Sequence, residues 1–335
     1  MTRRLVFVTQ RIDPDDPNLG ATVALVRALA SRLDEVVVLA LDGKPGALPG
    51  NARLRSFGGG SRAGRGARFA AALARELSPR PLAVLAHMSP IYAVLAAPLA
   101  RPLGVPVLLW FTHWRRSRLL QLAERLSSAV LSVDSSSFPL PSTKLRAIGH
   151  GIDTAEFACV DRSERTGPLR VLALGRTSPA KGLPVVVEGV RLARERGADL
   201  ELELRGPSIT AEERAHRLEL GTVAEPLPRE RIPELLAGAD VLVNNMRAGA
   251  LDKVVFEACA ACLPVLASNP GFAGLLDEEL RFDRDHPAEL ADRLVALAAR
   301  DAEERAELGR RLRARVEAAH STDTWAAGVL AAAGR

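Results

Sequence analysis

LALGRTSPAKGLPVVVEGV (172–190) decides the fold class of this chain. An apolar, β-branched run ends in Gly175-Arg176, a short loop carries Lys181-Gly182, and a helical pattern opens at Leu183-Pro184. Proline suits the first turn of a helix and glycine suits the tight loop before it. Strand, loop and helix in that order form the βα half of a right-handed βαβ unit, the building block of a parallel sheet. The loop also carries charge. A helix N-terminus offers free N–H groups and a partial positive charge, and Arg176 and Lys181 add two cations, so the place suits a phosphate. At roughly 1.5–3 kcal/mol per charge-assisted contact, two cations reach the ~4 kcal/mol of a millimolar complex, and further contacts have to come from elsewhere.

The same alternation runs outward in both directions. Toward the C-terminus, strands are expected at 200–206, 218–223, 240–245 and 263–268, with LDKVVFEACAAC (251–262) as a helix. Toward the N-terminus, 5–9, 35–41, 82–87, 105–111 and 129–134 read as buried strands, with helices over 21–33 and 92–103. The polar stretch DRSERTGP (161–168) is the linker candidate. A chain of 335 residues exceeds one domain, so two Rossmann-like domains are expected, 1–160 and 161–317, with ligands at the carboxyl ends of their strands. FGGGSRAGRGARFA (57–70), rich in Gly and Arg, reads as a mobile surface loop, and 288–319 as helices with solvated charged faces.

Composition narrows the function. With 47% apolar, 25% charged and only 4% aromatic residues, the chain is globular with aliphatic cores. A net charge of +5 favours acidic partners such as phosphorylated substrates and anionic membrane surfaces. Nucleic acid is not expected as a partner, because neither stacking aromatics nor a reading helix accompanies the basic charge. Three cysteines do not make a disulfide framework, which points to a reducing compartment, the cytoplasm. Cys259 and Cys262 form a C-x-x-C pair without a second pair, so packing is expected rather than redox or zinc chemistry. MTRRLVFVTQ holds an apolar run of only four residues, and no stretch approaches the roughly 20 apolar residues of a membrane span, so any membrane contact is peripheral. WRRSRLLQLAERL (114–126) joins basic residues to Trp114 and a leucine stripe. It reads either as a membrane-surface helix at the inner face of the membrane or as a core-facing stripe with solvated arginines.

Several segments then fall into one order: GHGIDTAEF (149–157), GRTSPAKG (175–182), LGTV (220–223), Ala239-Asp240 before a strand, and EACAACLPV (257–265). In this order they resemble the hinge, the donor loop, the Leu-Gly-x-Val turn and the Glu-Ala…Pro-Val segment of the retaining GT-B glycosyltransferases of the large family four, the glycosyl transferases group 1. The resemblance covers roughly 145–270, with a fainter match before it. It implies two Rossmann-like domains facing across a cleft, with the last helix (318–335) packing back on the first. It also implies transfer of a hexosyl unit from a UDP- or GDP-sugar to an acceptor hydroxyl, with retention and without metal or cofactor. Relatives serve cell-envelope polysaccharide, glycolipid or small-molecule glycoside synthesis, so the acceptor is a saccharide, a lipid-linked group or a small molecule.

By the resemblance, Arg176 and Lys181 contact the donor diphosphate and stabilise its departure, Gly175 and Gly206 belong to the donor site, and Glu257 holds the ribose. The charge logic agrees, because the leaving diphosphate gains negative charge where fixed cations stand, and a carboxylate can accept both hydroxyls of a diol. The family usually has a second glutamate eight positions before the ribose carboxylate, and here that position is Gly249. Asp252 is then expected to take over sugar-hydroxyl contacts and Lys253 to reach a phosphate; alternatively both are solvated N-terminal helix residues, with Asp252 as a cap. VPVLLWFTHW (105–114) resembles the family strand whose terminal histidine faces the donor sugar, which makes His113 the catalytic candidate, although a strand-end histidine is also commonly structural. His87 ends a similar strand. DPDDPNLGAT (13–22) resembles the glycine loop of the first domain, where Gly20 lets backbone approach the acceptor or donor phosphate. Two rival readings are a catalytically inactive GT-B protein that binds or activates another transferase, and a nucleotide-sugar epimerase. An oxidoreductase is disfavoured because no G-x-G-x-x-G follows the first strand.

Overall fold

The computed structural model describes residues 2–16, 19–249 and 251–334. By internal contacts the chain divides into two units, Met1–Gly151 with His320–Arg335, and Ile152–Ala319. The division falls at Gly151, so the stretch 161–168 is no linker and belongs to the second unit. Arg162 explains why. Only 4% exposed, it donates to the carbonyl oxygens of Leu236, Ala239, Ala261 and Cys262, and burial beside Arg165 pulls its pKa down to about 10.

The first unit holds β1 (Arg4–Ile12), β2 (Glu35–Gly43), β3 (Ala52–Ser56), β4 (Val84–His87), β5 (Val107–Trp110), β6 (Ala129–Ser132) and β7 (Leu145–Ala147). They form one parallel sheet in the order β3-β2-β1-β4-β5-β6-β7. Its central strands are continuous apolar runs, as expected where helices cover both faces of a parallel sheet. Those helices are α1 (Thr22–Ala30), α2 (Arg62–Glu76), α3 (Pro90–Ala100) and α4 (Arg118–Leu126). The stretch read as a mobile loop is largely α2. Ser61 caps it by accepting from Gly64 N at 3.2 Å, and Phe69 and Leu73 bury one face, with Phe69 against Phe57 and Tyr92. Gly and Arg hid the helix because its stability comes from this packed face rather than from local propensity. The short outer strands β3 and β7 also escaped the apolar pattern, since an edge strand carries polar residues.

The second unit holds β8 (Leu169–Leu174), β9 (Leu200–Arg205), β10 (Val241–Asn244) and β11 (Val265–Ala267), parallel throughout in the order β11-β10-β8-β9. Around them lie α5 (Leu183–Glu195), α6 (Ala211–Glu219), α7 (Ile232–Gly238), α8 (Lys253–Ala260), α9 (Pro287–Ala298) and α10 (Ala302–His320). The strand expected at 218–223 is absent, because α6 runs through Glu219 and only Ala224 bridges to Arg205. The last helix, α11 (Thr322–Ala332), is grouped with the first unit, where Trp325 stands edge-on to Trp110 at 5.8 Å.

The cysteines correct the expectation from spacing. Cys262 is bonded to Cys159, with Cα atoms 4.9 Å apart and a sequence separation of 103, while Cys259 is free and buried. Burial pushes the Cys259 thiol far above its ordinary pKa, so it is inert packing. Among the described residues no helix is long and apolar enough to cross a membrane.

In both sheets the strand order reverses beside the first strand, between β1 and β4 and between β8 and β10. Loops leaving the carboxyl ends of such strands are where open α/β sheets hold ligands.

Candidate functional site

In the second unit, the loop after β8 is shaped by two glycines. Gly175 (φ +135°) and Gly206 (φ +151°) follow neighbouring strands and pack backbone to backbone, so that a Cβ on Gly206 would lie 1.9 Å from the Gly175 carbonyl oxygen. A Cβ on Gly175 would lie 2.7 Å from Lys181 Nζ, so the missing side chain is the space through which the lysine passes. Thr177 ties the loop down, its hydroxyl 2.7 Å from Ser208 Oγ and donating to Glu213 O at 3.1 Å. Gly182 (φ +53°) then turns the chain into α5, with no side chain capping the helix start.

Arg176 remains accessible, 53% exposed at its side chain, with Nη1 3.6 Å from Glu213 Oε1. Glu213 is itself buried, because its other oxygen accepts from Ile209 N at 2.7 Å and Thr210 N at 3.1 Å in the capping box of α6. Lys181 is directly paired with Asp252 at the start of α8, and Asn244 Nδ2, at the end of β10, donates to the same oxygen at 2.8 Å. Burial opposes the Asp252 charge, but Lys181 and Asn244 outweigh it and hold the carboxyl below its ordinary pKa. The next residue, Asn245, donates to Gly182 O at 2.9 Å and Arg247 N to Ala180 O at 3.3 Å, so the loop after β10 is laced to the loop after β8.

One turn along α8, Glu257 is enclosed, its side chain 7% exposed. Its Oε1 lies 3.1 Å from Arg229 Nη1 and 3.7 Å from Lys253 Nζ. Burial lowers the Lys253 pKa against the pull of Glu257, with Arg229 adding repulsion. Thus the structure brings Gly175, Lys181 and Asp252 into one contact and pairs Lys253 with Glu257. Gly249 has φ +124°, a backbone state that suits glycine, and its neighbour Ala250 lies outside the described residues.

Arg229, Asn244, Glu156 and Glu213 were not anticipated. Glu213 had a signal, since Thr210 and Glu213 form a T-x-x-E capping box. Glu156 lies inside the quoted 149–157 segment. Arg229 sits in PRERIPE between other charged residues, and nothing local separates it from them.

The candidates of the first unit stand at its own strand ends. His113 follows β5; its N–H donates to Ser137 O at 3.1 Å and its Nδ1 accepts from Arg115 N at 3.0 Å, which puts the proton of the neutral ring on Nε2. The ring stacks on Trp114 with centroids 5.2 Å apart. His87 is buried at the end of β4, stacked on Phe7 with Nδ1 3.4 Å from Thr9 Oγ1. Gly20 is buried in the turn before α1 and donates to Asp16 O at 2.9 Å; Pro17 and Asn18, in the same loop, lie outside the described residues. A cavity of about 450 Å³ opens at the carboxyl ends of β1, β2 and β4, with Gln10, Arg11, Asp16, Asp42 and His87 in its wall.

Residues 168–300 match the family model for glycosyl transferases group 1. Among curated proteins no sequence matches this chain. Solved structures match over nearly its whole length. HepE of Anabaena, in complex with UDP, is 17% identical with a TM-score of 0.75, covering 98% of each chain. Sucrose-phosphate synthase of Thermosynechococcus elongatus is 17% identical with a TM-score of 0.72, covering 98% of this chain and 97% of its own. TarM is 8% identical with a TM-score of 0.76, covering 100% of this chain and 99% of its own. Residues 168–300 thus form a glycosyl transferases group 1 domain, and the chain as a whole shares the GT-B fold of these solved structures.

Proposed function

We propose that the protein transfers a hexosyl unit from a UDP- or GDP-sugar to an acceptor hydroxyl with retention of configuration, in polysaccharide, glycolipid or small-molecule glycoside synthesis. The observation that carries this is the meeting of Gly175, Lys181 and Asp252 beside the reversal between β8 and β10, with Glu257 one turn further along α8. UDP is the nucleotide bound in the HepE structure, which supports a uridine donor.

In this reading the donor diphosphate competes with Asp252 for Lys181 and with Glu213 for Arg176. Cations beside the phosphates act where charge develops as the sugar–phosphate bond breaks, and no metal or cofactor is used. Lys253 adds charge nearby. Asp252, released as Lys181 turns to the phosphate, accepts from sugar hydroxyls in place of the carboxylate that Gly249 lacks. His113 offers its Nε2–H to the donor sugar. The wall of Gln10, Arg11, Asp16, Asp42 and His87 in the first unit, rich in donors and acceptors, suits a polyhydroxylated acceptor, and Gly20 shapes the loop beside it.

The test is incubation of the pure protein with UDP- and GDP-hexoses and saccharide, lipid-linked or small-molecule acceptors, with the anomeric configuration of any product read by NMR. An inverted product removes the retaining mechanism. Donor binding without transfer or hydrolysis favours a non-catalytic partner of another transferase, the reading that Gly249 supports, and epimer formation without acceptor favours an epimerase.

A peripheral contact with an anionic membrane belongs to the same proposal. Trp114, Leu119 and Leu122 are exposed, and Arg115, Arg116, Arg118 and Arg125 are exposed around them, while Leu120 and Ala123 anchor α4 in the core. Each basic residue near such a surface contributes about 1 kcal/mol. Flotation with phosphatidylserine vesicles at low salt tests it, and absence of binding, or binding unchanged in Trp114→Ala with Arg116→Glu, removes this part.

A further inference from the structure

Glu257 poses a physical problem that the donor-binding reading leaves open. A carboxylate that is 7% exposed loses most of its hydration, and neighbouring cations have to replace those lost contacts and fix its aim. Two do, Arg229 Nη1 at 3.1 Å and Lys253 Nζ at 3.7 Å, and both address Oε1. Among the described residues no donor addresses Oε2. One oxygen is therefore anchored and the other is left to accept a hydroxyl.

The two anchors differ in kind. Lys253 is on the same helix as Glu257, four positions earlier, and burial weakens its charge. Arg229 comes from the chain just before α7 and is fixed on three sides. Its Nη2 lies 3.2 Å from Glu156, its Nη1 faces Glu257, and its guanidinium lies 5.7 Å from the centre of the buried Phe157 ring. Burial opposes the arginine's charge, but the two carboxylates outweigh it and raise its pKa. A planar fork can serve two carboxylates while resting on a ring, which a lysine ammonium cannot do.

We propose that Arg229 is the positioning residue of the ribose site: braced by Glu156 and Phe157, it aims the Glu257 carboxylate, so that recognition of the donor's ribose diol depends on a residue that need not touch the donor. This rests on the assignment of Glu257 to the ribose. A diol held by a carboxylate contributes enough that loss of one hydroxyl weakens binding about tenfold.

The experiment is calorimetric titration of the full chain with UDP, GDP and their 2′-deoxy counterparts. The wild type is expected to prefer a ribonucleotide by about tenfold, and Glu257→Gln to abolish that preference. Arg229→Ala is expected to abolish it as well, Glu156→Gln to reduce it, and Arg229→Lys to restore part of it. If Arg229→Ala weakens ribo- and deoxynucleotide equally and keeps their ratio, the arginine only supports the fold and the inference is overturned. If Glu257→Gln loses the preference but Arg229→Ala and Glu156→Gln keep it, the inference fails while the ribose reading stands. If the wild type binds both nucleotides alike, the ribose reading fails and takes the inference with it. Should Arg229→Ala not fold, Glu156→Gln and Arg229→Lys carry the test, and a preference unchanged in both overturns it.

Discussion

The first βα loops of the two units occupy the same topological place and carry opposite charge. After β1 the chain reads Asp13, Asp15 and Asp16, neutralised by Lys44 at 2.9 Å from Asp13 and by Arg11 at 3.2 Å from Asp16. After β8 it reads Arg176 and Lys181 on a backbone narrowed by Gly175 and Gly206. Both loops sit where strand order reverses, so the fold marks both as ligand sites. Side-chain charge then separates them. In the second the loop supplies the cations and its carboxylate partners, Asp252 and Glu213, come from elsewhere, which under the proposed function lets an anion take their place, whereas in the first the loop supplies the carboxylates and the proposed function gives it neutral hydroxyls.

The largest expected effect tests that contrast directly. Lys181→Ala and Arg176→Ala should each lower transfer about 10²–10³-fold, the scale of losing one preorganised charge partner. Asp15→Asn, in the acidic loop, should change turnover less than about twofold. Steady-state kinetics with a saturating donor decides, and comparable losses in both loops would erase the distinction.

A second difference is covalent. The bond between Cys159 and Cys262 closes a loop of 103 positions within the second unit, and Cys259, the third cysteine, is also there. Removing a cross-link over such a loop costs about 4.7 kcal/mol by its effect on the unfolded chain. Calorimetry of Cys159→Ser, or of the wild type in dithiothreitol, should therefore lower the melting of the second unit and leave the first unmoved. An unchanged profile would show that the bond adds nothing.

The smallest expected effect falls on the first unit and comes from pH. Burial lowers the pKa of His320 from its ordinary 6.5 to about 4, with Asp134 pulling weakly the other way. As pH falls, the unfolded chain takes up this proton first, so stability that is whole above pH ~6.5 is lost progressively toward pH ~4. Allowing for partial exposure, the loss is about 2 kcal/mol. Denaturant unfolding at pH 7 and 4.5 should show it, and His320→Gln should flatten the difference; an equal slope in the variant would assign the acid sensitivity elsewhere.

Legibility differed in the same way along the chain. The central strands were readable because burial on both sides demands continuous apolar runs, and Arg176, Lys181 and Glu257 stood out as candidates because their motifs are local. Helix α2 was missed because Gly64, Gly66 and four arginines lie among the few residues, Phe69 and Leu73, that bury it. The Cys159 partnership was missed because C-x-x-C drew attention to the wrong pair. Arg229 was missed because its neighbours Glu230, Arg231 and Glu234 look alike in sequence.

From the sequence alone came two wound α/β halves and a glycine-flanked loop with two cations before a helix, since hydrophobic period and helix-start chemistry act over a few residues. Which charges answer each other, Lys181 with Asp252 and Arg229 with Glu156 and Glu257, was decided only in the tertiary structure. Those partners lie 28 to 73 positions apart, and a Coulomb interaction depends on distance in space, which chain order does not encode.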